Sequence, residues 1–409
     1  MSQMLPIHDL REELIQVIND HQIVVVVGET GSGKTTQIPQ YLHEAGYTKL
    51  GKIGCTQPHG VATMSVASRV AQEMGIKLGH DVGYFVEFED CTSHKTVLTY
   101  ITDAMFLREF MDEPDLASYS VVMVDEAHDR TLSTDVLLGL IKNIARFHPD
   151  LKIIISSATL DAEKFSDYFD GAPIFKIPGR RFPVEIHYTR SPEADHLKAA
   201  VAMVCQIHLT EQAGDILVFF TGREEIEVAE GILKPWGLGI DIAEMIICPM
   251  YANLPLDMQT KNFEPTPKGA RKVVLAIDLA ETSLTINGIS YVIDPGFCQQ
   301  KSYNPSMGMD SLLKTLISKA FALQRSDRVG RIELGKCFRL YTAWTYQNEM
   351  QDHGIPEIQQ KNLSSVVITL KILGIHDLMN FDFIDHPPAE TIIRAQEELY
   401  ALCTLNSNS

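Results

Sequence analysis

The chain has 409 residues, enough at roughly 150 residues per domain for two or three domains with cores of their own. Its 35 Lys and Arg against 53 Asp and Glu give a net charge of −18, which argues against generic high affinity for a polyanion but not against a local basic path. Seven cysteines without a C-x-x-C pair exclude a zinc-finger pattern and fit buried small hydrophobes in a reducing compartment.

The first thirteen residues carry no basic-then-apolar leader, and no apolar run is long enough to cross a membrane, so a soluble intracellular protein is expected. Strand-sized apolar runs recur at Ile23–Val27, 52–55, 97–100, 121–124 and 153–156. Each leads into a polar loop, and longer helical patterns lie between many of them. This alternation predicts an α/β fold with a parallel sheet and crossover helices. Residues 179–183 are basic, carry Gly and Pro, and read as a boundary. A second series at 215–220, 244–249, 272–276 and 291–294 predicts a second domain built like the first. Pro295-Gly296-Phe297 reads as a turn and 299–315 as a hairpin. After Tyr346 the character is helical, at 363–373 and 390–402, which predicts a small third domain. The domains expected are thus 1–181, 182–345 and 346–409, with a frayed tail from Asn406.

Gly28-Glu29-Thr30-Gly31-Ser32-Gly33-Lys34-Thr35 matches the phosphate-loop pattern in full, after a β-branched strand and before a helical segment. The glycines let backbone N–H groups face phosphates, and the helix start adds positive potential. Lys34 is placed to reach the β- and γ-phosphates, and Thr35 to hold a magnesium ion. Asp125-Glu126-Ala127-His128 follows the next apolar strand but two. We assign Asp125 to the metal and Glu126 to the attacking water, with His128 coupling the nucleotide site to the other domain. Ser157-Ala158-Thr159 ends another strand; its hydroxyls are either a link between nucleotide state and domain orientation or ordinary strand-end residues. Gln324, Arg325, Arg328 and Arg331 fall on one side of a helical turn. Arg328 and Arg331 then read as fingers on the γ-phosphate, or the four form an exposed basic run.

In this order the motifs resemble those of the DEAH-box RNA helicases of superfamily 2: Gly28–Thr35, Thr56-Gln57-Pro58, Asp125–His128, Ser157–Thr159, Ala280-Glu281-Thr282-Ser283 and Gln324–Arg331. The likeness runs over nearly the whole chain. The stretches from Glu113 to Asp129 and from Gly296 to Pro305 look most like the spliceosomal branch, in particular the ATPase acting before the first splicing step. The resemblance implies two tandem RecA-like P-loop NTPase domains and a small winged-helix-like domain. It implies ATP, or other nucleoside triphosphates, with Mg2+ in a cleft between the first two. It implies 3′-to-5′ movement on single-stranded RNA or pre-mRNA, in the nucleus, with spliceosomal proteins as partners, no DNA, no membrane and a monomeric state. Arg69 and Phe263 match positions that sandwich the base; by themselves Arg69 reads equally as a surface helix residue and Phe263 as core. Family members continue into ratchet and oligonucleotide-binding-fold domains; this chain stops at Ser409, soon after the winged-helix match.

The chain also departs from the family pattern. His59 and Gly60 stand where two arginines are usual, Glu87 where Arg is common, and Ile277-Asp278-Leu279 where Thr-Asn-Ile precedes the 280–283 motif. Ser306 replaces an Arg of related members, and Asp327 a Gly. Most of these positions face or support the RNA path, where phosphate contacts supply much of the affinity, so weak RNA binding is expected. Asp327 lacks glycine's φ freedom; it either draws a finger arginine away or points to solvent. The alternative to a working helicase is a degenerate nucleotide-binding scaffold or regulator that does not unwind RNA. A further alternative is a fragment of a longer helicase.

Overall fold

The computed structural model describes residues 5–29, 31–157, 162–179, 182–235, 244–251, 264–277, 286, 288–330 and 334–402. By its internal contacts the chain divides into two compact units. The first comprises Met1–Gly179, Lys301–Ser311 and Ile355–Ser409; the second comprises Arg180–Gln300 and Leu312–Gly354.

The first unit alternates helices and strands: α1 (Arg11–Asp20), β1 (Ile23–Val27), α2 (Lys34–Glu44), β2 (Lys52–Gln57), α3 (Gly60–Glu73), β3 (Val82–Val86), β4 (Glu89–Cys91), β5 (Leu98–Thr102), α4 (Asp103–Asp112), β6 (Tyr119–Val124), α5 (Leu132–Ala145), β7 (Lys152–Ser157), α6 (Ala162–Tyr168) and β8 (Ile174–Lys176). Its eight strands lie in the order β4-β3-β5-β2-β6-β7-β1-β8. All neighbours are parallel except β3 and β4, which form an antiparallel edge hairpin. The β-branched run of β1 is needed because helices cover both faces of such a sheet. Val24 and Val26 pack with Leu14, Ile38 and Leu42 of α1 and α2, and Val25 and Val27 with Leu137, Ile141 and Phe165 of α5 and α6. In register Val25 lies beside Ile155, so β1 and β7 end level and deliver their loops to the same sheet edge.

The second unit contains β9 (Val184–Tyr188), α7 (His196–Thr210), β10 (Asp215–Phe220), α8 (Arg223–Leu233), β11 (Glu244–Met250), β12 (Ala270–Ile277), β13 (Ile289–Asp294), α9 (Lys319–Ser326), β16 (Gly335–Arg339) and α10 (Ala343–Asn348), while β14 (Phe297–Asn304) and β15 (Met309–Leu316) are divided between the units, residues 301–311 belonging to the first. Six strands form a wholly parallel sheet in the order β11-β12-β10-β13-β16-β9, and β14 with β15 makes a separate two-stranded ribbon. One face of this sheet is closed by α7 and α8 through Val204, Ile226 and Leu233. The fold is therefore α/β with parallel sheets in both units, as the alternation predicts.

Two helices follow, α11 (Ser364–Ile372) and α12 (Ala389–Ala401). Val367 and Leu370 of α11, Phe381 and Phe383 of the connection, and Ile392 and Leu399 of α12 share one apolar cluster with Leu137, Leu138 and Ile141 of α5. Gly139 is required there: a Cβ on it would lie 2.6 Å from the Phe381 ring. Strands β3, β4, β8, β9 and β16 were not legible as apolar runs. They are short, or alternate in burial as Gly335–Arg339 does. Among the described residues no helix is long and apolar enough to cross a membrane.

Candidate nucleotide-binding and hydrolysis site

In the first unit, Gly28–Gly33 bridges the end of β1 to the start of α2. Gly31 and Gly33 have φ of 88° and 99°, left-handed values that side chains resist. At Gly33 a Cβ would also approach Ile7 Cγ2 to 2.8 Å. Lys34 is 5% exposed, and its ammonium curls back over the loop. It donates to the Gly28 carbonyl, to the Glu29 carbonyl at 3.1 Å, and to Ser32 Oγ at 3.5 Å. Gly28 N–H is tied to the Ser157 carbonyl at 3.3 Å, which locks the loop to the neighbouring strand β7.

Asp125 leaves β6 with no exposed surface. Its Oδ2 accepts from Thr35 Oγ1 at 2.5 Å and from Gln57 Nε2 at 2.7 Å. Its Oδ1 is buried and has no hydrogen-bond partner. A buried carboxylate oxygen without a donor costs free energy unless a cation or water completes it. Hard oxygen donors from Thr35 and Asp125 suit magnesium, and the orphaned Oδ1 fits that ion. Tyr100 OH donates to the Thr35 carbonyl at 2.9 Å and fixes the first turn of α2 from below.

Glu126 takes φ 49°, ψ 37°, a left-handed conformation unusual for Glu, and starts the one-turn helix Ala127–Asp129. Its side chain is 12% exposed. His128 Nε2 lies 3.4 Å from Glu126 Oε2 and 3.6 Å from Asp129 Oδ1. Burial, and then the charge of Lys34, push the His128 imidazole down to about 3, so it is neutral at pH 7. Arg130, also left-handed at φ 49°, closes the loop. Its Nε and second terminal nitrogen grip Asp135 at 2.6 and 3.0 Å, and it reaches Asp385 at 2.7 Å. Behind the site Asp103 is fully buried, accepts from Thr134 Oγ1, and is raised by burial to about 6 despite its hydroxyl neighbours Thr134 and Thr56.

Of the other expected residues, Arg69 is half exposed on α3 and paired with Glu73 at 2.9 Å. Glu73 also accepts from Gln37 and Gln40, both at 2.9 Å. Thr30, Ala158, Thr159, Phe263, Asp278, Leu279, Ala280–Ser283, Arg331 and the tail lie outside the described residues.

In the second unit, Gln324 is partly buried on α9, and Arg328, at 7% exposure, follows the helix end. Arg325 has no exposed surface. It donates to Asp294 at 2.7 Å and to the Phe297 carbonyl at 3.1 Å, and its guanidinium lies 4.8 Å from the Phe219 ring centre. These contacts tie Arg325 to the core of the second unit. Asp327 has φ −73°, ψ −3°, so the backbone here makes no demand that only glycine meets.

Sequence reasoning did not single out Gln57 as a partner of Asp125, Tyr100 as the prop of Thr35, or Asp129 beside His128. Gln57 lay inside a quoted motif; Tyr100 carries no local signal, because its role comes from strand order.

Residues 18–164 match an AAA domain, and residues 199–333 match the helicase conserved C-terminal domain. The crystal structure of the Escherichia coli DEAH/RHA helicase HrpB is similar to 99% of this chain, with a TM-score of 0.88 and 32% identity. The chain spans about half of that protein's length, 51%. The two matched stretches, an AAA domain and a helicase conserved C-terminal domain, follow one another along the chain. HrpB is itself a DEAH/RHA helicase, the type whose motif order this chain's sequence resembles.

Proposed function

We propose that the chain binds ATP with Mg2+ and hydrolyses it to drive 3′-to-5′ movement on single-stranded RNA. The observation that carries this reading is the state of Asp125. One oxygen is held by Thr35 and Gln57, and the other is buried without a hydrogen-bond partner. Thr35 and Asp125 would hold the ion, which when bound neutralises charge on the β- and γ-phosphates. Lys34 exchanges its carbonyl contacts for phosphate oxygens, and the loop N–H groups cradle them. Glu126 orients the attacking water and takes up its proton, while His128 fixes the Glu126 side chain. Arg328 and Arg331 are proposed to meet the γ-phosphate, and Arg69 and Phe263 the base, in line with the family resemblance. RNA as the polymer, a role in pre-mRNA splicing and a nuclear setting rest on that resemblance alone, carried by the motif order and by 113–129 and 296–305.

A second reading, a nucleotide-binding scaffold without effective unwinding, is favoured by one observation. His59, standing where the family has Arg, is held neutral by burial and supplies no cation to a phosphate backbone.

The test is ATP turnover with and without single-stranded RNA, alongside Glu126→Gln. Turnover stimulated by RNA and lost in Glu126→Gln with nucleotide binding retained is the expected result. Normal turnover in Glu126→Gln removes Glu126 from its role. Turnover unchanged by saturating RNA favours the scaffold.

A further inference from the structure

The loop that carries Glu126 is held at its far end by residues from much later in the chain, all of them in the first unit. It leaves β6 at Asp125, turns through Ala127–Asp129 and ends at Arg130, next to Thr131, which caps α5. Glu126 and Arg130 both take left-handed backbone, each at φ 49°. Neither is glycine, so the surroundings must hold them there. The near end is fixed: Asp125 N–H donates to the Thr56 carbonyl at 3.2 Å, and its side chain is held by Thr35 and Gln57.

The far end is fixed by the segment after residue 355. The Arg130 carbonyl accepts from Glu357 N–H at 3.1 Å. Leu132 N–H, in the first turn of α5 where no carbonyl of the helix can reach it, donates to Glu357 Oε2 at 3.1 Å. The Arg130 guanidinium meets Asp135 of α5 at 2.6 and 3.0 Å and Asp385 at 2.7 Å. Lys164 of α6 also meets Asp385, at 2.6 Å, so two cations balance two carboxylates. The side chains of Arg130 and Asp135 are 9% and 0% exposed. Burial opposes the charge of Asp385, yet the bonds from Lys164 and Arg130 bring its carboxyl below the usual range, so it is ionised at neutral pH. Removing one member of such a buried set leaves charge uncompensated. Arg130 then shifts, and the residues from Glu126 to Asp129 lose the far anchor that fixes their backbone. A carboxylate that orients water loses rate when it is misplaced by even an ångström.

We propose that Arg130 and Asp385 are positioning residues for Glu126, through which the segment after residue 355 holds the hydrolytic loop in shape. This rests on the reading of Glu126 as the group that orients water. It goes beyond that reading in making the C-terminal segment a working part of the hydrolytic site.

The experiment measures ATP turnover by the full chain for wild type, Asp385→Asn, Asp385→Glu, Arg130→Gln, Arg130→Gln/Asp385→Asn and Asp382→Asn. Asp382→Asn is the control: it breaks a link at 2.9 Å from the same connection to α5, but through Lys142 rather than Arg130. In parallel, amide hydrogen exchange without nucleotide is followed in peptides covering residues 125–134. The expected result for Asp385→Asn is kcat down by about fivefold to twentyfold with KM for ATP within about twofold, and about tenfold faster exchange in those peptides. Asp385→Glu, which keeps the charge on a side chain 23% exposed, recovers most of kcat. The double variant loses no more than about twofold beyond the worse single one, since the two residues act as one unit. Asp382→Asn keeps kcat within about twofold of wild type, without faster exchange. Should Asp385→Asn not fold, Glu357→Ala, which frees Leu132 N–H, is expected to give the same pattern at smaller amplitude. The proposal is overturned if the variant that folds leaves kcat or the exchange unmoved, if Asp385→Glu fails to rescue, if the two losses multiply, or if Asp382→Asn lowers kcat as far. If the wild type does not turn ATP over while Asp385→Asn, and not Asp382→Asn, still quickens exchange across 125–134, the anchoring stands and the hydrolytic reading of Glu126 fails.

Discussion

Replacing Asp103 by Asn gives the most quantitative check on the buried polar layer beneath the site. Asp103 is 1% exposed at the start of α4, and its usual 3.8 is raised to about 6, first by burial. A raised carboxylate means that the folded state holds its proton more tightly than the unfolded chain. Stability is therefore fully present below about pH 4 and is lost as pH rises through 6. The difference between 3.8 and about 6 corresponds to about 3 kcal/mol of lost stability above pH 7. Asn keeps an acceptor for Thr134 Oγ1 and turns an amide toward the Thr56 hydroxyl, with no charge to bury. Asp103→Asn should thus stabilise the first unit by an amount that grows by roughly 1–2 kcal/mol between pH 5 and 7 and is flat above. Urea unfolding of both proteins at pH 5, 6, 7 and 8, without nucleotide or magnesium, reads this directly. A stability difference that is constant with pH, or that shrinks as pH rises, refutes the reasoning.

Three other substitutions probe separate parts of the chain. Arg325→Met strands Asp294 in a pair whose side chains are both 0% exposed, and should destabilise the second unit by about 3–5 kcal/mol in urea titration; a loss under about 1 would mean that Tyr341 and Gly296 N–H suffice for Asp294. Gly33→Ala forces a Cβ onto a φ of 99° and to within 2.8 Å of Ile7, so Tm should fall by an amount equivalent to about 1–3 kcal/mol, and an unchanged Tm would show that the loop relaxes freely. Lys34→Ala should weaken binding of a fluorescent ATP analogue by about a hundredfold, by loss of charge-assisted bonds to phosphate, with Tm within a few degrees of wild type; a loss under threefold would remove Lys34 from the phosphate site.

The phosphate loop was legible because its whole apparatus is contiguous: a β-branched strand, three glycines at fixed offsets, then Lys34 and Thr35 opening a helix. Asp125 and Glu126 were legible because a strand end before a helix is a local signal too. Contacts set by strand order were not. Gln57 reaches Asp125 because β2 lies beside β6, and Tyr100 reaches Thr35 from β5; neither adjacency can be read from apolar period. Asp327 stands where glycine is usual, yet the helix there ends right-handed, a backbone that any residue adopts. The edge pair β3 and β4 and the alternating strand β16 escaped notice because parallel-sheet reasoning looks for continuous apolar runs. The amphipathic pattern of α11 and α12 gave two helices but not their partner, since a stripe of Val and Leu does not name the surface it covers.

The first unit is assembled from three separated stretches of chain, with the whole of the second unit's sequence between them. During synthesis the apolar face formed by Leu137, Leu138 and Ile141 emerges long before Phe381, Phe383 and Leu399, which complete its cluster. Loop closure over more than two hundred residues is slow, so this face stays uncovered while the intervening residues are made. The second unit, whose sheet is complete by Arg339, is thereby set to finish first. A chain ending near residue 360, tethered to the ribosome by a linker long enough to clear the exit tunnel, should hold a protease-resistant second unit and a first unit that binds a hydrophobic dye, and extension past Leu399 should quench that dye.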